Sequence, residues 1–364
     1  LSDIKYWLGF SLIPEIGPKR LAALLHHFDG LPEAWHASEL RLAQAGLEKQ
    51  AVANLLRGRA RLDLDAELAR IHQVGAKLLT LADEGYPSLL KEQPDAPVVL
   101  YVRGTLLPGD DQALSIVGTR KATTYGRDAA HYLAKQLAAH NITVISGLAH
   151  GVDGAAHRGA LDGGGRTIAV LGSGIDRIYP RDHERFAQEI AGQGAIISEF
   201  PLGTPPEARN FPRRNRVISG MALGVLVVEA PETSGALITA SIAADQGRDV
   251  FAVPGNIFNQ MSSGNNRLIQ EGAKLVMDVN DILDELRIVH DAVQTRTVTR
   301  RLVPANPVEA QIVQYLGADP LHIDDIVRLC GLSVAEVSST LTILELKGLV
   351  RNTGSMQYCL VQPH

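Results

Sequence analysis

"ALSIVGTRKATTYGRDAAHYLAKQLAAHNITVISG", from Ala113 to Gly147, decides the fold. A short apolar run, "ALSIVG", is followed by the helical stretch "YGRDAAHYLAKQLAAH" and then by a second apolar run, "ITVISG". The same alternation continues through "TIAVLG", "AIISEF", "GVLVVEA" and "DVFAVPG". Apolar runs of this length, separated by amphipathic segments, predict strands covered on both faces. The chain is therefore expected to build an α/β domain around an open, mostly parallel sheet.

Five small-residue loops recur at the carboxyl ends of these runs: Gly118-Thr119-Arg120, Ser146-Gly147, Gly172-Ser173-Gly174, Ser234-Gly235 and Pro254-Gly255. In open sheets that end forms the ligand crevice. Backbone N–H groups in such loops bind anions, phosphate above all. A Walker loop is absent from the sequence. "GSGIDR" fails at its third glycine and "GLAHGVDG" has the wrong spacing for a dinucleotide fingerprint. Ser146, His150, Asp153, His157, Glu199 and Glu229 are the candidate catalytic groups, but they do not form a recognisable nucleophile and base. Asp153 reads as the N-cap of the helix "GAAHRGAL" rather than as part of a metal box "HGVDGAAH". His157 reads as a packed or surface histidine, and Glu199 and Glu229 as carboxylates that anchor neighbouring loops. No enzyme, metal or cofactor is expected.

"RNFPRRNRVISG", Arg209–Gly220, lies between two consecutive strands and must leave from the carboxyl end of the first. That places Asn210, Phe211, Arg213, Arg214 and Arg216 at the crevice mouth, where Arg120 also points. An aromatic ring among arginines beside phosphate-binding loops suits single-stranded nucleic acid: bases stack while guanidiniums hold phosphates.

Residues 1–80 carry Leu, Ala and Arg at helical spacing and predict a domain of four or five short helices, with one Gly-Pro turn of helix-hairpin-helix type at "IPEIGPKRLAALL". Residues 81–110 read as the connector that enters the sheet domain, which extends to about 290, with one strand at "VVLYVRG". A polar connector, "HDAVQTRTVTRRLVPANP", leads to a 305–364 domain. That domain reads helix, helix, a tight turn at Gly331, helix and two short strands, the order of a winged helix. It has three basic side chains, Arg328, Lys347 and Arg351, against six acidic ones. A groove-reading helix should be basic, so Val334–Lys347 is expected to contact protein rather than DNA.

The net charge of −5 gives no general preference for nucleic acid, so local charge must carry it. Two cysteines, Cys330 and Cys359, without metal-ligand spacing fit a reducing compartment. The apolar runs are too short to span a membrane, and "LSDIKYWLGFSLIPEIG" does not have the form of a secretory signal. A cytoplasmic location is expected. The chain opens on Leu1 rather than Met, so its natural start is expected to lie upstream.

"SIVGTRKATTYG", "VISGLAHGVDGAAHRGAL", "IAVLGSGIDRIYP", "SEFPLGTPP", "NFPRRNRVISG", "VVEAPETSGALITASIAADQGRDVFAVPGN" and "GNNRLIQEGA", in that order over about 115–276, together closely resemble the DNA-processing protein A family (DprA, also called Smf). The flanking regions resemble that family's three-part layout: a SAM-like or helix-hairpin-helix-like helical domain, an extended Rossmann-like domain and a winged helix. The resemblance implies a non-enzymatic protein of natural transformation. It would bind and protect incoming single-stranded DNA, dimerise through the Rossmann-like domain and help to load RecA recombinase. Carried over by residue, the family's DNA-contacting positions fall on Gly118, Thr119 and Arg120, on Asn210 to Arg216, on Arg181 after "YP", and on Ser234 and Gly235. Ser146 and Gly147 complete the expected rim. The competing class is an enzyme. "SGALITA" after a glutamate-ended strand also looks like the nucleotide phosphoribohydrolases, although "APETSGALITA" lacks their double glycine.

Overall fold

Side chains alternate strictly along the first parallel strand: Leu114 and Ile116 pack on one face of the sheet, Ala113 and Val117 on the other. Every residue of that strand is buried, as a strand covered by helices on both sides must be. The structure, a computed structural model, describes residues 3–287 and 307–360 apart from 318, 348 and 355. It divides into two units, Leu1–Asp291 and Ala292–His364. The predicted connector at 290–306 lies outside the described residues.

The first unit opens with α1 (Ile4–Ser11), α2 (Pro18–His27), α3 (Leu31–His36), α4 (Glu39–Gln44), α5 (Lys49–Arg59) and α6 (Leu64–Gln73). There follow β1 (Lys77–Thr80), α7 (Ser88–Lys91), β2 (Val99–Gly104), β3 (Ala113–Val117), α8 (Thr124–Ala139), β4 (Thr143–Ser146), α9 (Val152–Asp162) and β5 (Thr167–Leu171). The unit continues through α10 (Glu184–Gln193), β6 (Ala195–Ser198), α11 (Asn210–Gly220), β7 (Gly224–Val227), α12 (Gly235–Asp245), β8 (Asp249–Ala252), α13 (Ser263–Gln270), β9 (Lys274–Leu275) and α14 (Val279–Glu285). The strands form one sheet in the order β1-β2-β6-β5-β4-β3-β7-β8-β9. From β6 to β9 every pairing is parallel, whereas β2 joins β6 antiparallel and β1 joins β2 antiparallel. All six predicted parallel strands are present.

Chain direction across the sheet reverses at β3. The strands β4, β5 and β6 build outward on one side, and β7, β8 and β9 on the other. The crevice of such a sheet lies at the carboxyl ends of the two strands beside that reversal, here β3 and β7. Helices α8, α9 and α14 cover one face through Ala130, Leu133, Ala156 and Ile282. Helices α11 and α12 cover the other through Val217, Ile218, Ala236 and Ala240. Two side-chain caps fix helix starts near the crevice: Thr123 Oγ1 accepts from Gly126 N at 3.1 Å, and Ser234 Oγ from Ala236 N at 3.3 Å.

The N-terminal region contains six helices, not four or five, and it does not pack by itself. Trp7, Phe10, Trp35 and Leu55 share one apolar cluster with Tyr101, Leu171, Ile190 and Ile196 of the sheet and α10. Strand β1, inside the expected helical domain, supplies the sheet edge.

The second unit has α15 (Pro307–Tyr315), β10 (Leu321–His322), α16 (Ile323–Cys330), α17 (Val334–Leu346), β11 (Val350–Gly354) and β12 (Gln357–Leu360) around Ile312, Ile326, Val337, Leu341 and Leu344. Its sheet order is β10-β12-β11. This is a winged helix, with Gly331 at φ +65° making the predicted turn between α16 and α17. Cys330 and Cys359 are buried and unpaired with each other.

Candidate nucleic-acid interface

Helix α11 carries the arginine-rich stretch, and its periodicity sorts the arginines. Asn210, Arg214, Val217 and Ile218 are buried along one stripe, while Arg213 faces outward, as positions three and four apart share a face. Pro212 sits in the first turn, where its missing N–H breaks no helical bond.

Over the carboxyl ends of β3 and β7 lies a cavity of about 350 Å³. Gly118, Thr119 and Arg120 line it from the loop after β3, Phe211 and Arg214 from α11, and Ser234 and Gly235 from the start of α12. Seven of the expected rim residues therefore converge. The Arg120 guanidinium lies 4.7 Å from the Phe211 ring centroid, and that of Arg214 lies 5.8 Å away. Tyr179 approaches the same ring, with centroids 6.2 Å apart. An aromatic ring flanked by guanidiniums is held by its quadrupole.

Arg214 is only 5% exposed. Its Nη1 donates to the carbonyls of Gly147 at 2.8 Å and Val170 at 2.5 Å, and its Nε to Asn215 Oδ1 at 3.2 Å. Burial lowers its pKa to about 10, which still leaves a cation at neutral pH. Two glycines make room for this arrangement. A Cβ on Gly147 would stand 2.3 Å from Arg214 Nη1, and one on Gly172 would stand 2.9 Å from Phe211 Cδ1. Those loop glycines admit side chains of the protein itself.

The Ser146-Gly147 loop is likewise occupied from within. Asp153 Oδ2 accepts from Gly147 N at 3.2 Å and Ala149 N at 3.3 Å, so a buried carboxylate sits where a phosphate was expected. The cap position of α9 is Gly151, which corrects the reading of Asp153 as N-cap: it lies two residues further on, inside the first turn, and reaches back to the preceding loop. Burial raises the Asp153 pKa, against the opposing fields of Arg214 and the two N–H donors. The Ser146 hydroxyl donates to the Ile116 carbonyl at 2.6 Å, and the Thr119 amide to the Glu229 carbonyl at 2.7 Å. Glu229 accepts from the Thr123 amide and hydroxyl, both at 2.7 Å, and ties the loop after β3 to the end of β7.

The remaining arginines do not line the cavity. Arg216, with a side chain 15% exposed, donates to the buried Glu199 carboxylate and to the Asp95 carbonyl at 2.5 Å. Arg213 is exposed, 3.3 Å from Glu199 Oε2 and 5.1 Å from the Phe200 ring centroid. Burial raises the Glu199 pKa, and Arg216 and then Arg213 oppose that shift. Asn210 donates to the Pro205 carbonyl at 3.2 Å and shapes the approach to α11. Arg181 stands exposed in the turn before α10. His157 is fully buried against Thr167 Oγ1 at 2.6 Å, and burial lowers its pKa to about 3. It is a packed neutral histidine. Exposed Lys121 and Tyr179 complete the rim. The signals for these two are a single lysine after "GTR" and a single tyrosine before the "PR" of "IYPR".

In the second unit, Lys347 at the end of α17 is held by Glu309, with Nζ 2.7 Å from Oε1. The exposed residues of that helix are Val334, Ala335, Glu336, Ser338, Ser339, Thr342, Ile343 and Glu345, a surface with two acids and no base. Among the described residues no helix is long and apolar enough to cross a membrane unbroken.

A family model described as DNA recombination-mediator protein A matches residues 77–287, and one described as the DprA winged helix domain matches residues 298–354. Protein Smf of Escherichia coli (strain K12) is 36% identical over 353 residues, which cover 96% of this chain and 93% of that protein. Protein Smf of Synechocystis is 35% identical over 98% of both chains. The X-ray structure of DNA processing protein A from Streptococcus pneumoniae aligns with a TM-score of 0.69 at 33% identity, over 77% of this chain and 97% of that one. DNA processing protein A from Helicobacter pylori, solved to explain its single-stranded DNA binding mode, aligns with a TM-score of 0.53 at 29% identity, over 58% of this chain and 95% of its own.

Proposed function

The chain belongs to the DNA recombination-mediator protein A family (DprA, or Smf), and from that premise we propose that it binds single-stranded DNA across the β3–β7 crevice. The observation that carries this reading is the Arg120–Phe211 pair at the mouth of the cavity. A base can stack on the ring while Arg120, Lys121 and the unpaired amide at the start of α12 hold phosphates. Gly118, Thr119, Ser234 and Gly235 shape the wall. Arg213 and Arg181 extend the basic rim, while Ser146, Gly147, Asn210, Arg214 and Arg216 position it.

The protein acts in the cytoplasm as a binder rather than an enzyme. It shelters the strand taken up in transformation and passes it to RecA recombinase. Support for the RecA step is the family's motif set. It acts as a dimer through the sheet domain, where Leu275 of the edge strand β9 and Met277 just after it are exposed. Titration with labelled single- and double-stranded oligonucleotides, beside nucleoside monophosphates, tests the reading. Single strand should bind best, and no ribose 5-phosphate should be released. Equal affinity for blunt duplex at moderate salt overturns it.

A further inference from the structure

Two turns distant in sequence meet beside the crevice: Leu148–Gly151, between β4 and α9, and Arg181–His183, before α10. Leu148 at φ +59° and Gly151 at φ +76° bend the first turn so that the Leu148 carbonyl accepts from His183 Nδ1 at 3.0 Å. His150 Nε2 lies 3.6 Å from Asp182 Oδ1, and the rings of His150 and His183 meet edge to face with centroids 4.8 Å apart. Ligand-capable atoms of the three residues all lie within 4.8 Å of one another.

We propose that His150, Asp182 and His183 form a divalent transition-metal site of the zinc class, which staples the turn after β4 to the turn before α10. Two imidazoles and one carboxylate suit zinc, and imidazole disfavours magnesium and calcium. The Leu148 carbonyl fixes the His183 tautomer, leaving the lone pair on Nε2, the supporting contact that metal-ligating histidines use. Zinc bonds of about 2.0–2.2 Å to these atoms require donors about 3.4 Å apart, so the ligands must close by up to about 1.4 Å. The His150 and Asp182 side chains are 53% and 68% exposed, and can swing that far. Solvent fills the fourth position. The bound ion would add positive charge next to Arg181 and, through the contact of Gly151 with the Thr119–Arg120 backbone, beside the crevice loop.

The test is zinc titration of the full chain, freed of any affinity tag, at about pH 7.5, where imidazole is neutral. One equivalent should bind in the wild type, and magnesium should not compete. His150→Ala and Asp182→Asn should each weaken zinc binding by about tenfold or more. His183→Asn should do the same in an apoprotein that still folds, since the asparagine amide can still donate to the Leu148 carbonyl. The chain has 12 histidines, so uptake elsewhere would leave these variants at wild-type affinity. That result, failure of the wild type to take up one equivalent in excess zinc, or competition by magnesium overturns the proposal.

Discussion

The Arg120 guanidinium lies 4.7 Å from the centroid of the Phe211 ring, which joins the loop after β3 to the first turn of α11. The pair unites the two kinds of contact a single strand needs, charge and stacking, in one place. Their energetics differ. A phosphate contact releases a counterion and therefore depends on salt, whereas a stacking contact does not.

Arg120→Ala should weaken binding of all single-stranded sequences alike and flatten the salt dependence by about 0.7 in log–log slope. Phe211→Ala should cost about 1–3 kcal/mol with the slope nearly unchanged. Binding isotherms at several salt concentrations separate the two outcomes. Identical slopes in both variants would show that the pair does not divide the work in this way.

Arg216→Ala should act on stability instead. It leaves the buried Glu199 carboxylate with only the exposed Arg213 beside it. Removing one partner of a buried ion pair costs about 3–5 kcal/mol, and the partial exposure of Arg216 puts the expected loss near the lower end. Melting curves should register it while the salt slope of DNA binding stays at the wild-type value. A changed slope with unchanged stability would return Arg216 to the phosphate track.

The six parallel strands were legible because a strand buried on both faces must be a short apolar run, and loops between such runs have to fall at defined ends. The convergence of Arg120, Phe211, Ser234 and Gly235 followed from that geometry. The division of labour among the arginines did not. Arg214 interrupts the apolar stripe of α11, so the helix lacks a clean periodic signal. Its acceptors on Gly147 and Val170 lie 67 and 44 residues away, beyond the reach of local pattern. Asp153 was misread for a related reason: the carboxylate points back into a loop whose path depends on Gly151 at φ +76°. Strand β2 is the one that "VVLYVRG" predicts, but β1 lies in a segment that reads as helix, and the antiparallel pairing that joins both to the sheet has no local signal.

His157 should make stability depend on acid pH. Its folded pKa is lowered to about 3 by burial, against an ordinary 6.5. Below about pH 6.5 the unfolded chain gains a proton that the folded one refuses, so stability present above that pH is lost progressively down to about 3. The slope contributed by this one group approaches about 1.4 kcal/mol per pH unit. His157→Asn can still donate to Thr167 Oγ1 and should flatten the dependence between about pH 4 and 6, although the lost ring lowers stability throughout. Denaturant unfolding at stepped pH measures both effects. An unchanged slope in the variant assigns the acid sensitivity to other groups.

Deleting residues 305–364 should leave most single-stranded DNA affinity in place. Binding to a phosphate backbone draws on free cations. The exposed surface of α17 carries Glu336 and Glu345 and no base, and Lys347 at its end is held by the buried Glu309. The same pair predicts that Lys347→Ala destabilises the winged helix, because the buried Glu309 carboxylate would lose that ammonium. The two measurements answer different questions. Affinity of the truncated chain reports whether the domain touches DNA, and unfolding of the Lys347→Ala chain reports whether that lysine is structural. An affinity loss beyond about tenfold, roughly 1.4 kcal/mol, in a truncated chain that remains folded and dimeric would make the winged helix a DNA-binding element. Unchanged stability in Lys347→Ala would free its charge for the same role.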